Sequence, residues 1–341
     1  MKILITGGAG FIGSNLTDYF LKKNHEVRVF DNLSRAGTKK NIEWLKSNNK
    51  SKLIFIKNDV RDFGSVYDAT KGVDVILHTA AQVAVTTSIK NPREDFEINV
   101  LGTFNVLEAA RKSNTNPIVI FCSTNKVYGN NVNNISLVER QTRYDFSDPE
   151  FINGIPEDFP TDANEHTPYG SSKYAADIYV RDFSAVYGLK TVNFRCSCIY
   201  GIRQFGNEDQ GWVEHFIISS LFNKPLVIYG DGKQVRDILF IDDLVRAFDL
   251  AIKNINEIKG EVFNVGGGVK NTLSLIELLD LLKGFGLKPA YTFNDWRLAD
   301  QKVYISDISK TKQFGWIPEI SPENGVKILL EWVKDNKNLF I

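Results

Sequence analysis

The residue types in this chain best suited to chemistry are a tyrosine and a lysine four positions apart. In Thr167-Pro168-Tyr169-Gly170-Ser171-Ser172-Lys173, Thr167 suits an N-cap and Pro168 the first helical position, so Tyr169 and Lys173 fall on one helix face. A phenol with its ordinary pKa of about 10 is a poor base at neutral pH. A nearby ammonium, the positive end of a helix and an oxidised nicotinamide each favour the phenolate, and a pKa of about 7 requires roughly 4 kcal/mol from them together. The pair alone is equally compatible with an ordinary amphipathic helix. A second cluster, Gly7-Gly8-Ala9-Gly10-Phe11-Ile12-Gly13, follows an apolar run and opens a helical stretch. Gly7 suits the sharp turn, Gly10 the close approach of a pyrophosphate and Gly13 tight helix packing, with helix-start amides facing the anion. Asp31 ends the next apolar run, where a carboxylate accepts hydrogen bonds from an adenosine ribose and repels a 2′-phosphate. NAD is therefore expected over NADP, with Arg35 the neighbour that argues the other way.

These groups need strands and helices to position them. Residues 2–6, 26–30, 53–56, 73–77 and 118–122 are short apolar runs that read as buried parallel strands. Between them, residues 11–23, 39–47, 63–70 and 93–112 carry apolar positions at helical spacing, the alternation of a Rossmann-type, doubly wound α/β sheet. Residues 130–166 lack such a pattern and are punctuated by Pro149, Pro156 and Pro160; a loop this long is expected to be functional or mobile. A helix over 168–187 and a strand over 190–195 follow. Further on, strands at 226–229, 237–240, 261–265 and 289–293 alternate with helices near 244–253, 273–282 and 322–333. The expectation is an NAD-binding domain over 1–190 and a smaller α/β substrate lobe over 191–341, some of whose segments return to the first domain.

The 341 residues carry 41 basic and 41 acidic side chains, so no overall positive field supports nucleic-acid binding. The apolar runs are far below the roughly 20 residues that span a bilayer. Cys122, Cys196 and Cys198 make no even disulfide framework, and the chain starts on a strand-like run, so a reducing cytoplasm is expected. Cys196 and Cys198 also invite a metal reading, but no Cys/His cluster accompanies them, and no metal is expected.

Together with Phe121-Cys122-Ser123-Thr124-Asn125-Lys126-Val127-Tyr128-Gly129, the glycine turn and Tyr-x-x-x-Lys resemble the extended short-chain dehydrogenase/reductase family of nucleotide-sugar-modifying enzymes, over essentially the whole chain. The resemblance implies that Tyr169 is the base, that Lys173 lowers its pKa and holds the ribose, and that Thr124 is the hydroxyl partner of Tyr169. Ser123 is the alternative, since adjacent strand residues face opposite ways. It implies that Phe11, Ile12, Asn32 and Ser34 join Gly7, Gly10, Gly13, Asp31 and Arg35 at the cofactor, and that Asp59 and Val60 border the adenine. His78, Ala80, Ala81 and Gln82 would follow the cofactor, with Asn99 at the active-site floor. For His78, a histidine simply satisfied at the end of a buried strand is an equally open reading.

The family's sugar dehydratases carry Asp-Glu directly after the threonine, because eliminating water needs an extra acid and base. Here Asn125-Lys126 stands in that place, which leaves epimerisation or simple redox. Residues 31–35, 82–89, 142–145 and 232–237 narrow the resemblance to 2-epimerases of CDP-linked sugars. Arg236, Arg297 and Asp300 are then expected near the diphosphate and ribose, Tyr229 beside the base, and Asn125, Lys126 and Cys198 at the sugar; for Arg236 an ion pair with Asp237 is the bland alternative. Trp212, Phe216, Tyr144 and Phe146 either cover the substrate or are plain core. The expected activity is NAD-dependent epimerisation of a nucleotide-activated deoxyhexose in a homo-oligomer, dimer or tetramer. The rivals are a UDP-hexose 4-epimerase and a catalytically silent NAD sensor.

Overall fold

Val, Ile, Leu and Phe fill the short runs, and in the computed structural model, which describes residues 1–48, 52–297 and 300–340, they form one sheet. Its strands are β1 (Lys2–Thr6), β2 (Glu26–Phe30), β3 (Leu53–Ile56), β4 (Val75–His78), β5 (Ile118–Thr124), β6 (Lys190–Cys196) and β7 (Val262–Val265). All neighbours pair in parallel, in the order β7-β6-β5-β4-β1-β2-β3. Alternate residues enter different cores. Ile3 and Ile5 pack with Leu16 and Phe20 on one face, whereas Leu4 packs with Val66 and Val106 on the other. A sheet buried on both faces explains why its strands read as nearly continuous apolar runs.

The order reverses between β1 and β4, and the crevice at the strand ends there is where such sheets bind ligands. The helix Phe11–Lys22 follows β1, and Pro168–Tyr187 precedes β6. The sheet runs past residue 190: β6 extends it beside β5, and β7 returns to its edge. Helix Ile241–Lys253 also returns, where Asp249 accepts hydrogen bonds from Tyr19 and Lys23 at 2.9 Å each. The rest of the second half is a lobe in which Val235–Phe240 pairs with Cys198–Tyr200, Thr272–Ser274 and Val303–Tyr304, and Leu226–Tyr229 pairs with Tyr291–Asn294.

Two expectations need correction. The helix expected over 93–112 is Pro92–Phe96, a wider π turn over Glu97–Leu101, and Gly102–Lys112. The wide turn contains Asn99, whose amide bonds outside the helix, and it seats Gly102 so tightly that a Cβ there would lie 2.7 Å from Val60. Residues 130–166 are not a loose loop. They contain an antiparallel hairpin, Leu137–Glu139 with Tyr144–Phe146, and their backbone is paired to the lobe through Tyr144 N–H to Lys233 O (3.0 Å) and Ile155 N–H to Ile305 O (2.7 Å). These partners lie some 90 to 150 positions away, which local patterning does not register. Among the described residues, no helix is long and apolar enough to cross a membrane.

Candidate active site

The glycine turn is built as its residue types require. Gly7 has φ +68°, and a Cβ on it would meet the Ala80 backbone at 2.7 Å; one on Gly13 would lie 2.1 Å from Gly7 O. The helix that follows has Gly10 as its N-cap, with no side chain capping its first-turn amides. Those donors remain for an anion. Asp31 is buried at the end of β2 and accepts from Ala9 N–H (3.1 Å) and Leu33 N–H (2.8 Å), while burial raises its pKa.

A cleft runs over this turn. Gly7, Gly10, Phe11, Ile12 and Gly13 line it together with Asp31, Asn32, Ser34 and Arg35 and with Asp59, Val60, Ala80 and Ala81. Asp59 is held by both Arg61 and Asn32, and the Arg61 guanidinium pulls its carboxyl down to about 2. Uncapped helix amides, a glycine cradle and a ribose-facing carboxylate fit a dinucleotide.

Three residues expected at the cofactor stand behind this cleft. His78 is buried between Thr6 (2.6 Å) and Thr103 (2.9 Å), and burial lowers its pKa to about 3. It is a satisfied core histidine. Gln82 N–H donates to Asn99 Oδ1 at 2.9 Å, and Asn99 Nδ2 donates to Gln82 O, Asp95 and Ser172 at 3.0 to 3.1 Å. Neither Gln82 nor Asn99 lines the cleft. Their amides brace the segment after β4 against the helix that carries Tyr169, because a buried amide must be paired and these partners take all of it.

Thr167 caps that helix, accepting from Gly170 N–H at 3.2 Å, with Pro168 in its first turn. Tyr169, Lys173 and Thr124 line one reaction cavity at the ends of β5 and β6. The Thr124 hydroxyl donates to Asn125 Oδ1 at 3.2 Å and lies near enough to the Tyr169 phenol to favour its phenolate. Ser123 faces the other side of β5 and donates to Asp177 (3.2 Å), the buried partner of Arg195. Both residues border the cavity, with Thr124 on the Tyr169 side and the Ser123 hydroxyl engaged by the Asp177–Arg195 ion pair.

Burial dominates the electrostatics of the pair. Lys173 donates to Cys122 O at 2.6 Å and lies 4.1 Å from the Phe121 ring centroid, and burial lowers its pKa to about 8. Burial prevails at Tyr169 and pushes the phenol up, against the opposing influence of Thr124. Ionising Tyr169 therefore needs additional positive charge. Cys196 lies 3.6 Å from Cys122, sulfur to sulfur, in the same cavity.

Asn125, Lys126 and Cys198 complete the reaction cavity, and a second cavity opens from it. Tyr229, Arg236, Arg297 and Asp300 line the second one, and Lys126, Cys198 and Trp212 belong to both. Arg236 pairs with Asp300 at 2.5 Å. Its expected alternative partner Asp237 is fully buried and accepts from Ser197 and Gly268. Arg297 stacks over Tyr229 at 4.0 Å, and Tyr229 donates to Glu208 at 2.5 Å. Trp212 and Phe216 line this cavity, whereas Tyr144 and Phe146 are core residues of the hairpin. Sequence reasoning missed Gln204 and Gln210, which reach from the segment after Cys198–Tyr200 to line both the cofactor cleft and the reaction cavity. No local pattern marks them.

Comparison with known proteins agrees with this geometry. The profile of the NAD dependent epimerase/dehydratase family matches residues 3–266. The chain is 44% identical to a CDP-paratose 2-epimerase of Salmonella typhi, across 97% of this chain and 99% of that one. A solved UDP-glucose 4-epimerase of Thermotoga maritima, with UDP-glucose, superposes with a TM-score of 0.82 at 31% identity, across 99% and 100% of the two chains. A UDP-glucuronic acid 4-epimerase of Bacillus cereus, in complex with UDP-glucuronic acid and NAD, gives 0.81 at 29%, across 98% and 99%. With a dinucleotide cleft leading to a Thr–Tyr–Lys cavity, the chain belongs to the NAD dependent epimerase/dehydratase family of enzymes.

Proposed function

We propose that the protein inverts carbon 2 of a CDP-linked deoxyhexose, converting CDP-paratose to CDP-tyvelose. The observation that carries this reading is Asn125–Lys126 beside a complete set of Thr124, Tyr169 and Lys173. The cavity holds a phenol for hydroxyl proton transfer and no acid pair next to the threonine for eliminating water. The likeness to the Salmonella typhi enzyme supports the choice of sugar and base.

The glycine turn would hold the cofactor pyrophosphate, Asp31 the adenosine ribose and Lys173 the second ribose. Bound there, NAD supplies reversible hydride transfer at a carbinol carbon. Carbon 2 neighbours an acetal carbon and no carbonyl, so losing its hydrogen as a proton would leave an unstabilised carbanion. Oxidation to a 2-keto sugar avoids that. Tyr169 accepts the hydroxyl proton as the ketone forms and returns it after inversion, and Thr124 holds the shared oxygen. The lobe keeps its grip on the nucleotide while the sugar turns its other face.

We also propose self-association through a second copy. Phe96, Leu101, Phe104, Ile178, Tyr179 and Tyr187 expose apolar surface on the helical segments 92–112 and 168–187. Phe104 and Tyr179 meet edge to face at 5.6 Å, joining the two segments into one patch, which suits a helix-on-helix dimer. Three unbridged thiols suit a reducing cytoplasm.

The test is incubation with CDP-paratose, UDP-glucose and a GDP-hexose, followed by product identification. CDP-tyvelose is expected. Turnover of UDP-glucose alone would establish the 4-epimerase instead, which the Thermotoga maritima likeness favours. Bound NAD without turnover of any sugar would leave the silent sensor.

A further inference from the structure

The second cavity poses a charge problem for an anionic substrate. Its lining carries the carboxylates Glu208, Asp209 and Asp300 against the guanidiniums Arg236 and Arg297. Both arginines are committed: Arg236 to Asp300 at 2.5 Å, and Arg297 to Glu208 at 3.4 Å and Asp209 at 3.9 Å. Without another cation this lining is net negative and would repel a diphosphate.

Lys126 is that other cation. It lines both cavities, and its ammonium donates to Gln301 Oε1 at 3.3 Å, a neutral partner. Among the described residues no carboxylate lies within 4 Å of it, although Asp300 and Arg236 are near enough to feel its charge. Gln301 is itself buried and donates to Gly129 O at 3.1 Å, which turns its oxygen toward Lys126 and holds the ammonium without neutralising it. The backbone N–H of Lys126 donates to Thr124 Oγ1 at 3.3 Å, and the Lys126 side chain lines the same cavity as Thr124 and Tyr169.

We propose that Lys126 receives the sugar-linked phosphate of the substrate and thereby selects carbon 2 as the reacting carbon. This selection rests on the carbon-2 function proposed above and follows from the sugar's connectivity. The phosphate sits on the anomeric oxygen, and carbon 2 is bonded to the anomeric carbon, whereas carbon 4 lies across the ring. A phosphate held by Lys126 at the cavity that Thr124 and Tyr169 also line therefore presents carbon 2, and not carbon 4, to those two residues. A carboxylate in the place of Lys126 would repel that phosphate and force the sugar to enter the other way round. The exchange of an acid pair for Asn125–Lys126 thus does two things: it removes the acid and base of elimination, and it supplies the charge that fixes the sugar's orientation.

Titration calorimetry with CDP, UDP and CMP on wild type, Lys126→Met and Lys126→Arg tests this. Lys126→Met should weaken both nucleoside diphosphates about tenfold or more, CMP by no more than about twofold, and leave NAD content unchanged; Lys126→Arg should recover most of the loss. Undiminished CDP and UDP affinity in Lys126→Met, or equal loss for CDP and CMP, overturns the assignment. If those titrations behave as expected but the wild type does not turn over CDP-paratose, the phosphate contact stands and the carbon-2 selection falls with the proposed function. A wild type that binds neither diphosphate overturns both.

Discussion

Ala9 donates its amide hydrogen to Asp31 at 3.1 Å, so the glycine turn after β1 is fastened to the carboxylate that ends β2. One side chain thus braces the glycine turn, and the proposed function gives the same carboxylate the adenosine ribose. Asp31→Ala should weaken NAD about tenfold or more and raise the relative affinity for NADP, as read by fluorescence titration of both cofactors. Wild-type protein that prefers NADP would count against this role for Asp31.

Thr124 and Ser123 are adjacent hydroxyls with opposite fates. Thr124→Ala should lower kcat by about 10²-fold, and Tyr169→Phe by about 10³-fold or more, both with NAD retained. Ser123→Ala removes a neutral donor to Asp177 and should cost about 1 kcal/mol of stability with kcat nearly unchanged. The reverse ranking of the two hydroxyl variants would move the site to Ser123.

Glu214 carries a pH signature. It is fully buried, accepts from Gly206 N–H at 2.7 Å, and burial raises its pKa to about 8. The folded state therefore holds a proton that the unfolded state releases above about 4.3. Stability should be highest below that value and fall as pH rises toward 8. Glu214→Gln keeps the acceptor for Gly206 and cannot ionise, so its melting temperature should exceed wild type by several degrees at pH 8 and match it near pH 4.5. Parallel melting curves at both pH values would remove Glu214 from this role. Because Gln204 and Gln210 line the cofactor cleft on either side of the Gly206 that Glu214 holds, NAD affinity should follow the same trend.

The hydride route is readable by isotope. A reaction in deuterated water should give product with no deuterium at carbon 2 and need no stoichiometric added NAD. Deuterium at that carbon, measured by mass spectrometry, would indicate exchange with solvent, and a demand for one NAD per product would indicate a dehydrogenase.

Much of the site is legible because its parts are local. The turn from Gly7 to Gly13 works through backbone conformation and close approach, and only glycine tolerates a φ of +68° with the Ala80 backbone 2.7 Å from a Cβ. The pairing of Tyr169 with Lys173 follows from helix periodicity, and Thr167-Pro168 marks the helix start. For the same reason residues 1–30 reveal their strand, turn, helix and strand.

Other features depend on contacts distant in sequence. Which of Ser123 and Thr124 meets Tyr169 depends on which face of β5 the helix Pro168–Tyr187 presents its phenol to. That Lys173 donates to Cys122 O, and that His78, Gln82 and Asn99 bond away from the cofactor cleft, depends on partners up to 73 residues apart. Residue types and local spacing by themselves determined the chemistry available: a phosphate turn, a ribose-facing carboxylate, a phenol and an ammonium. Only the tertiary structure decided how those charges are spent, because burial and ion pairing act through space, and Arg236, Arg297 and Lys126 look alike as cations until Asp300, Glu208 and Gln301 are brought beside them.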